Sequence, residues 1–594
     1  MTDQLTNPIL LSDNEIEIIF EDIQAPFGEP AVDIPGSETL LAVIPGGSIT
    51  ASDPGNTAVQ ASGENVTVLN LGEISGDLNG ISSTGNDFRL LNIGTVQSNS
   101  RAVDLSDGDG IFVLNTGNIL GTGNQRNGTL YVDGTVDDLD LLNSGTIDAG
   151  EENLGDAVSV QVGATDDPSN ENINITNNGL LQGRGDGPDV FANGGRVTAN
   201  GSSGLRFFNG SGQPEAAVSG SIVNHGTITS EVNVGFLGGL VVEDGVAFDG
   251  SIVNSGLISG PRNGLYIGNA EHDLSILNTG EITSGSRAVN LDGDNVTLSN
   301  QGSIVGTGDQ RDGTVYLDGT ADNITVNNQQ GSIDAGEGNS GSGVSVQVGA
   351  ANGLGGGIDD LELSADISNS GLIQGRGDSN VPAGIRLFVG AGLTEATFTG
   401  NITNELDGIV ASEESAGLLI EAGVIFDGQI TNLGTISGGN GFAIDADGAL
   451  GSVDILNAGT LDGAVRLGAG SDRFIQTSGE DVVVTGGLGN DAIIGGDGND
   501  ILNGGNDNDI LTGGLGSDTF EFGINAGLDI VTDFSTSNDL LEVETIFDNV
   551  SDVLGAATQV GTSTLIDFGN DNAVLLLNVN ASDLTGNNFV FAQG

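Results

Sequence analysis

A chain of 594 residues with 101 Gly, 21 Phe, 3 Tyr, no Trp and no Cys does not organise around one large aromatic core, and neither disulfides nor thiolate metal sites hold it together. Its 82 acidic residues face 13 basic ones, every one of them Arg, so the chain is a polyanion that repels nucleic acid and anionic membrane surfaces and takes divalent cations as its natural counter-charge. No run approaches the roughly 20 apolar residues of a transmembrane segment, and without Lys neither amine bases nor Schiff-base chemistry is open to it.

The chain opens Met1-Thr2-Asp3-Gln4 and runs into Glu15, Glu17, Glu21 and Asp22, with no basic n-region and no apolar h-region. An N-terminal signal peptide is therefore not expected, and residues 1–45 read as an acidic segment that caps the repeats.

From 46 to 466 the sequence is repetitive. The phrase Asn-x-Gly-x-Ile, or a close variant, begins at Asn70, Asn92, Asn115, Asn143, Asn177, Asn224, Asn254, Asn278, Asn300, Asn369, Asn432 and Asn457. The shortest spacings fall in the period range of solenoids, between 20 and 50 residues on the order-of-magnitude scale, or roughly two dozen here. Short alternating runs such as Val66 and Val68, or Val296 and Leu298, place apolar side chains on one face, and Asn-x-Gly turns the chain. One unit has too little core to stand alone. Stacked units bury a Val/Ile/Leu column, and Asn side chains at equivalent turns can hydrogen-bond as ladders. This predicts a right-handed parallel β-helix with three strands per coil, in which Ile282 points inward and Glu281 outward. The longer gap from Asn177 to Asn224 holds two coils or one coil with an insertion.

A longer repeat overlies the coils. SRAVDL (100–105) returns as SRAVNL (286–291), GTGNQRNGTLYVDGT (121–135) as GTGDQRDGTVYLDGT (306–320), and AVSVQVGA (157–164) as GVSVQVGA (343–350), with offsets that agree to within a single position. A block of several coils has been duplicated. The copies bring Arg126, Tyr131 and Asp133 back as Arg311, Tyr316 and Asp318. Recurrence favours a scaffold role over a catalytic one, and no catalytic residue is assigned. Arg184-Gly185-Asp186 and Arg376-Gly377-Asp378 spell an integrin-type tripeptide, which arises easily in Gly-rich repeats. His225 fills the variable slot of an Asn-x-Gly turn, and His272 is expected in an exposed turn.

Residues 486–521 divide into four nonapeptides, GGLGNDAII, GGDGNDILN, GGNDNDILT and GGLGSDTFE. They resemble the RTX, or hemolysin-type, calcium-binding repeat Gly-Gly-x-Gly-x-Asp-x-apolar-x. The glycines supply backbone conformations closed to other residues, and Asp491, Asp500, Asp509 and Asp518 supply hard oxygens. Ile493, Leu502, Leu511 and Phe520 are expected to form the core. The resemblance implies a parallel β-roll over 467–522 with two nonapeptides per turn, pairing Asp491 with Asp509 and Asp500 with Asp518 and holding at least two Ca2+ ions. The ligand loops it implies comprise Gly487, Gly489, Asp491, Gly496, Gly498, Asp500, Gly505, Asp507, Asp509, Gly514, Gly516 and Asp518. Asp507 stands where Gly is expected, and upstream Asp472, in GAGSDRF, lies one residue off the spacing of a further repeat.

The tail, FEFGINAGLDIVTDFSTSNDLLEV (520–543), STLIDFGNDNAVLLLNV (563–579) and NNFVFAQG (587–594), resembles the small β-sandwich cap and C-terminal signal of type I secretion substrates. That resemblance implies a type I secretion machinery as partner and an extracellular or cell-surface location in a Gram-negative bacterium. The whole reads as all-β: a parallel β-helix, a parallel β-roll and a β-sandwich cap over 523–594. The expected role is a non-enzymatic calcium-binding structural protein, surface-layer or adhesin-like, meeting surface polysaccharide or copies of itself. The alternative is a polysaccharide lyase or C5-epimerase, because alginate epimerases and certain lyases share this architecture; the epimerase motif Tyr-Gly-x-Asp-Pro-His is not present.

Overall fold

The computed structural model describes residues 7–591 except 122–127, 151–154, 164–170, 185–201, 211–214, 232–237, 307–312, 320, 338–339, 350–360, 378–381 and 544–546. The chain forms two compact units, Met1–Gly308 and Asp309–Gly594.

The first unit is a parallel β-solenoid with three strands per coil. In a representative coil, strands Leu257–Gly260, Asn263–Ile267 and Glu271–Asn278 each pair in parallel with their counterparts in the next coil, Ile258 opposite Ile282, Asn263 opposite Arg287 and Ile276 opposite Leu298. In-register pairing stacks like on like. Ile74, Val96, Ile119, Ile147, Leu181, Ile228, Ile258, Ile282 and Ile304 make one continuous buried column. Ile282 is fully buried and Glu281 exposed, as the alternation predicts.

Asn side chains form the ladder expected of them. From Asn70 through Asn92, Asn115, Asn143, Asn177, Asn224, Asn254 and Asn278 to Asn300, each Nδ2 donates to the Oδ1 of the next at 2.7–2.8 Å, and all nine are buried. The Asn177–Asn224 bond resolves the long gap: it is one coil with an insertion, since the two residues occupy adjacent positions in register. The glycine of each turn is fixed by close approach. A Cβ on Gly256 would lie 2.1 Å from the carbonyl oxygen of Gly226 one coil earlier.

The solenoid starts earlier than 46. Strands Ile9–Leu10, Ile16–Ile19 and Asp22–Gln24 already pair in parallel with Val32–Ile34, Leu40–Val43 and Ser48–Ala51, so the described part of the acidic segment holds the first coil and two strands of the second. The Asn-x-Gly phrase does not reveal it because Ile19 and Val43 hold the ladder position, in register with Asn70.

The second unit continues the same plan through Asn328, Asn369, Asn404, Asn432 and Asn457, bonded in sequence at 2.6–2.9 Å. Its third strand column then ends. The eleven-residue strand Thr435–Asp445 pairs with both Ile409–Ser412 and Leu418–Ile420, and the next, Thr460–Arg466, pairs with it on one side and with Val483–Leu488 on the other. Beyond it each coil has two strands, Val483–Leu488 pairing with Ile501–Asn506 and Ala492–Gly496 with Ile510–Gly514, and equivalent positions such as Asp491 and Asp509 recur every two nonapeptides. Strand Arg473–Gln476 joins the two regimes, pairing with Asp454–Asn457 on one side and Ala492–Ile494 on the other.

The segment expected as a β-sandwich cap carries both sheets of the roll onward. Leu528–Val531 pairs with Ile510–Leu511 and with Asn572–Leu576, while Leu540–Glu542 pairs with Thr519–Glu521 and with Phe589–Val590, all in parallel. An antiparallel meander, Ala557–Val560, Ser563–Gly569 and Asn572–Leu576, closes the end. Helix Val550–Ala556, capped by Asn549, leads into it. Among the described residues no helix is long and apolar enough to cross a membrane.

The buried isoleucine column gives a direct test. Ile282→Asp sets an unpaired carboxylate between Ile258 and Ile304 and should cost several kcal/mol, whereas Glu281→Gln should change stability by less than about 0.5 kcal/mol. Thermal melts of the full chain should separate the two variants; equal melting temperatures would assign the wrong face to this strand.

Candidate calcium site

In the roll the buried polar columns are aspartates placed at or just before the start of each strand, whereas the Asn ladder closes the end of each strand and runs out at Gln476. Two columns form, and both are buried: Asp472, Asp491, Asp509 and Asp529 in one, Asp500, Asp518 and Asp539 in the other. Each Oδ1 accepts a hydrogen bond from a backbone N–H one coil earlier. Asp472 N donates to Asp491 at 2.8 Å, Asp491 N to Asp509 at 2.8 Å and Asp509 N to Asp529 at 2.9 Å. In the second column Val482 N donates to Asp500 at 2.9 Å, Asp500 N to Asp518 at 3.0 Å and Asp518 N to Asp539 at 3.1 Å. Asp491 thus stacks with Asp509 and Asp500 with Asp518. The narrow core is the one the repeats predict, with Ile493, Leu502, Leu511 and Phe520 all fully buried.

The second oxygen is the informative one. Oδ2 of Asp491, Asp500 and Asp509 is buried without a hydrogen-bond partner. Each points at the first glycine of its own repeat: a Cβ on Gly486, Gly495, Gly504 or Gly513 would lie 2.2–2.3 Å from the Oδ2 of Asp491, Asp500, Asp509 or Asp518. The cradle therefore exists only because those positions have no side chain. The second glycines, Gly487, Gly496, Gly505 and Gly514, have φ of +103° to +111°, which brings their peptide groups to the loop in a conformation that L side chains rarely adopt. Gly489 and Gly516 are also at positive φ, whereas Gly498 is not, and a Cβ there would meet the Glu480 carbonyl oxygen at 2.7 Å. Asp507 takes φ +78° in the slot of Gly489 and Gly516, and its Oδ2 accepts from Gly489 N at 3.2 Å. Asp472 differs from the repeat aspartates in that both its oxygens are used, by Val453 N at 2.7 Å and Gly468 N at 3.2 Å.

Burial is the first cause of a raised carboxyl pKa throughout the columns, and in all but Asp472 a neighbouring carboxylate adds to it. Asp491 and Asp529 are pushed up to about 8, and Asp500, Asp509 and Asp518 to about 6, from 3.8. A buried carboxylate with an unpartnered oxygen needs either a proton or a cation. Ca2+ fits the donor set. It takes 6 to 8 hard oxygens in flexible geometry, and among the described residues no three Asp, Glu or His side chains converge on one point, so glycine-loop carbonyls must complete any shell.

Asp529 and Asp539 escape the nonapeptide pattern because each follows its column neighbour at a wider interval than the repeat allows, 20 positions for Asp529 and 21 for Asp539. The only sequence signal for them is an Asp before an apolar pair, as in Asp529-Ile530-Val531.

The remaining candidates take structural places. Tyr131 and Tyr316 are buried, and their hydroxyls donate to Gln161 and Gln347 at 2.6 and 2.7 Å, the same contact in both copies. Arg101 stacks over the Tyr131 ring at 3.7 Å. Arg126 and Arg311, their expected companions, lie outside the described residues. Arg184 and Arg376 are held in two-pronged pairs, with Asp148 at 2.7 and 3.0 Å and with Asp334 at 2.5 and 2.9 Å, so neither guanidinium is presented as a receptor ligand; Gly185, Asp186 and Asp378 lie outside the described residues. His225 sits in its turn with Nδ1 2.5 Å from Ser255 Oγ. His272 corrects the expectation of an exposed turn. It is buried within a strand, Nδ1 accepts from Phe248 N at 3.0 Å, and Nε2 lies 3.0 Å from the Gly268 carbonyl oxygen. These contacts fit a neutral ring protonated at Nε2, and burial pushes its pKa down.

Two-strand coils with carboxylate corners and glycine cradles define a calcium-binding parallel β-roll, here stacked on a parallel β-solenoid. Residues 485–520 match the RTX calcium-binding nonapeptide repeat in four copies, and such repeats imply a secreted, calcium-binding protein. No curated protein matches the chain.

The raised carboxyls set a pH dependence. The folded, calcium-free roll binds protons more tightly than the unfolded chain, so their contribution to stability is complete below the ordinary carboxylate range near 4 and is lost as pH rises through 6 to 8. In chelator the melting temperature of the roll should fall over that window. At about 10 mM Ca2+, above the expected affinity range, the fall should disappear because the ion replaces the protons. A flat profile in chelator would count against proton-dependent carboxylate columns.

Proposed function

We propose that the chain is a structural protein of the cell surface or extracellular matrix of a Gram-negative bacterium, surface-layer or adhesin-like, exported by a type I machinery and completed outside by calcium. The observation that carries this reading is the set of buried, unpartnered Oδ2 atoms of Asp491, Asp500 and Asp509 within a roll stacked on the solenoid. The solenoid satisfies its own buried corners through the Asn ladder. The roll leaves carboxylates that repel one another until a cation arrives, so it stays open in a calcium-poor cytoplasm and closes outside.

Within the roll, Asp491, Asp500, Asp509 and Asp518 are the side-chain ligands. The loops carrying Gly487, Gly489, Gly496, Gly498, Gly505, Gly514 and Gly516 bring carbonyl oxygens, Asp507 adds a carboxylate to the third repeat, and at least two ions are held. Affinity falls in the range of extracellular modules, about 10⁻⁴ to 10⁻³ M.

Two measurements test the reading. Calcium titration of the full chain by circular dichroism should show a cooperative gain of strand signal that Asp500→Asn with Asp509→Asn weakens by about tenfold or more; no calcium-dependent change up to about 10 mM would reject calcium-driven folding. Fractionation of a producing culture should find the protein at the surface or in the medium and, after removal of residues 560–594, in the cytoplasm. Continued export of the truncated chain would reject the C-terminal signal.

A further inference from the structure

The solenoid of the first unit carries a cleft of 560 Å³ on the outer face of its Asn-ladder sheet, lined among others by Arg89, Leu91, Phe112, Asp138, Asp140 and Asn174. Arg89, Phe112, Asp140 and Asn174 stand in register on four successive coils, each three residues before a ladder Asn. At the spacing of neighbouring strands the row is about 14 Å long. Phe112 is half-buried at its centre, with a guanidinium on one side and a carboxylate on the other.

These groups are open to a ligand. The Arg89 side chain is exposed and its guanidinium has no ion pair or hydrogen bond among the described residues, in a chain whose acids outnumber its bases 82 to 13. Asp140 is likewise exposed and unpaired among the described residues. Asn174 Oδ1 accepts from Ser221 Oγ at 2.9 Å, which leaves its Nδ2 to donate outward, and Asp138 is steadied by Asn172 Nδ2 at 3.2 Å.

The duplicated block supplies an internal comparison. Scaffold contacts recur in both copies: Tyr131 to Gln161 and Tyr316 to Gln347, Arg184 to Asp148 and Arg376 to Asp334, Arg206 to Glu243 and Arg386 to Glu421. The cleft row does not. At the positions three before Asn278, Asn300, Asn328 and Asn369 stand Ser275, Thr297, Thr325 and Asp366. Arg89, Phe112 and Asp140 are thus dispensable to the coil and belong to the first copy alone.

We propose that this cleft binds a neutral oligosaccharide. The Phe112 ring offers an apolar platform for the C–H face of a pyranose, and around it lie acceptors, Asp138 and Asp140, and donors, Arg89 and Asn174, for the hydroxyls at the sugar's rim. Two carboxylates and a net charge of −69 oppose an anionic glycan, and Arg89 opposes a basic peptide. An extended peptide has no backbone to pair with either, since the strands under the cleft already pair on both edges. The inference stands apart from the calcium reading and is tested at fixed calcium.

The test uses the full chain on an array of neutral glucans, galactans, mannans and N-acetylglucosamine oligomers, followed by calorimetry with the oligomer that binds. Phe112→Thr and Asp140→Thr, which install the second copy's residues, should each weaken binding ~10-fold or more, while Thr297→Ala leaves it unchanged. Circular dichroism checks each variant; should Phe112→Thr misfold, Asp140→Thr at its exposed position carries the test. Absence of binding to any neutral glycan, equal binding by wild type and the folded variants, or tighter capture of basic peptides through the same residues would each overturn the proposal.

Discussion

Much in this molecule depends on how the polar side chains turned inward at the coil corners are satisfied from one coil to the next. A carboxamide is self-complementary: Nδ2 of Asn254 donates to Asn278 while its Oδ1 accepts from Asn224, and the same Nδ2 reaches the Gly256 and Glu281 carbonyl oxygens at 3.3 and 3.1 Å. Such a column closes on itself and needs nothing from solvent. A carboxylate only accepts. At the roll's own corners, where Asp precedes each strand, a neighbouring backbone N–H serves one oxygen, and in Asp491, Asp500 and Asp509 the other is left to a proton or an ion.

The hand-over takes place within a few residues. Asn457 donates to Gln476, the last carboxamide of the ladder, and Asp472, just upstream of Gln476, is the first member of the aspartate column. At the same place the coil shortens to two strands, so the interior narrows from three walls to two. A two-walled coil holds little apolar side chain, essentially one residue per strand such as Ile493 or Leu502. Its stability therefore leans on the corner more than the solenoid's does, and the corner is where the unsatisfied oxygens are. Calcium dependence belongs to the part of the stack with the least core to offset the loss of the ion.

Legibility in the sequence tracks the rigidity of the local period. The nonapeptides keep an unbroken interval, so the four aspartates and their inward apolar neighbours can be read directly; Asp529 and Asp539 sit at looser intervals and surface only through their hydrogen bonds. The solenoid is legible where the turn is Asn-x-Gly. Asn328 and Asn404 keep the ladder and the carbonyl contact to Gly331 and Gly408 at 3.1 Å, but one or two extra residues lengthen their turns and hide them from the phrase. His272 is misleading because its local composition, Glu-His-Asp, reads as surface, while strand alternation turns His272 in and Glu271 and Asp273 out. The cleft row is not legible at all. Its members are separated by unequal stretches of chain, each a whole coil long, and only strand register brings them together.

A solenoid separates what must be kept from what can vary. Inward positions are bound to their neighbours above and below, and a corner residue is bound to two others, so a change there propagates along the stack. Outward positions answer only to solvent and to one another. Duplication of a block copies both kinds, and what differs afterwards shows which positions the fold leaves free. Here the tyrosine–glutamine and arginine–carboxylate contacts survive in both copies while Arg89, Phe112 and Asp140 are replaced by Ser275, Thr297 and Thr325 in the second. An aromatic ring on the outer face of a polar sheet lowers solubility and adds nothing to the core, so a structural cause for Phe112 is missing on its own strand. Its place between an unpaired guanidinium and an unpaired carboxylate makes it a contact for something outside the chain.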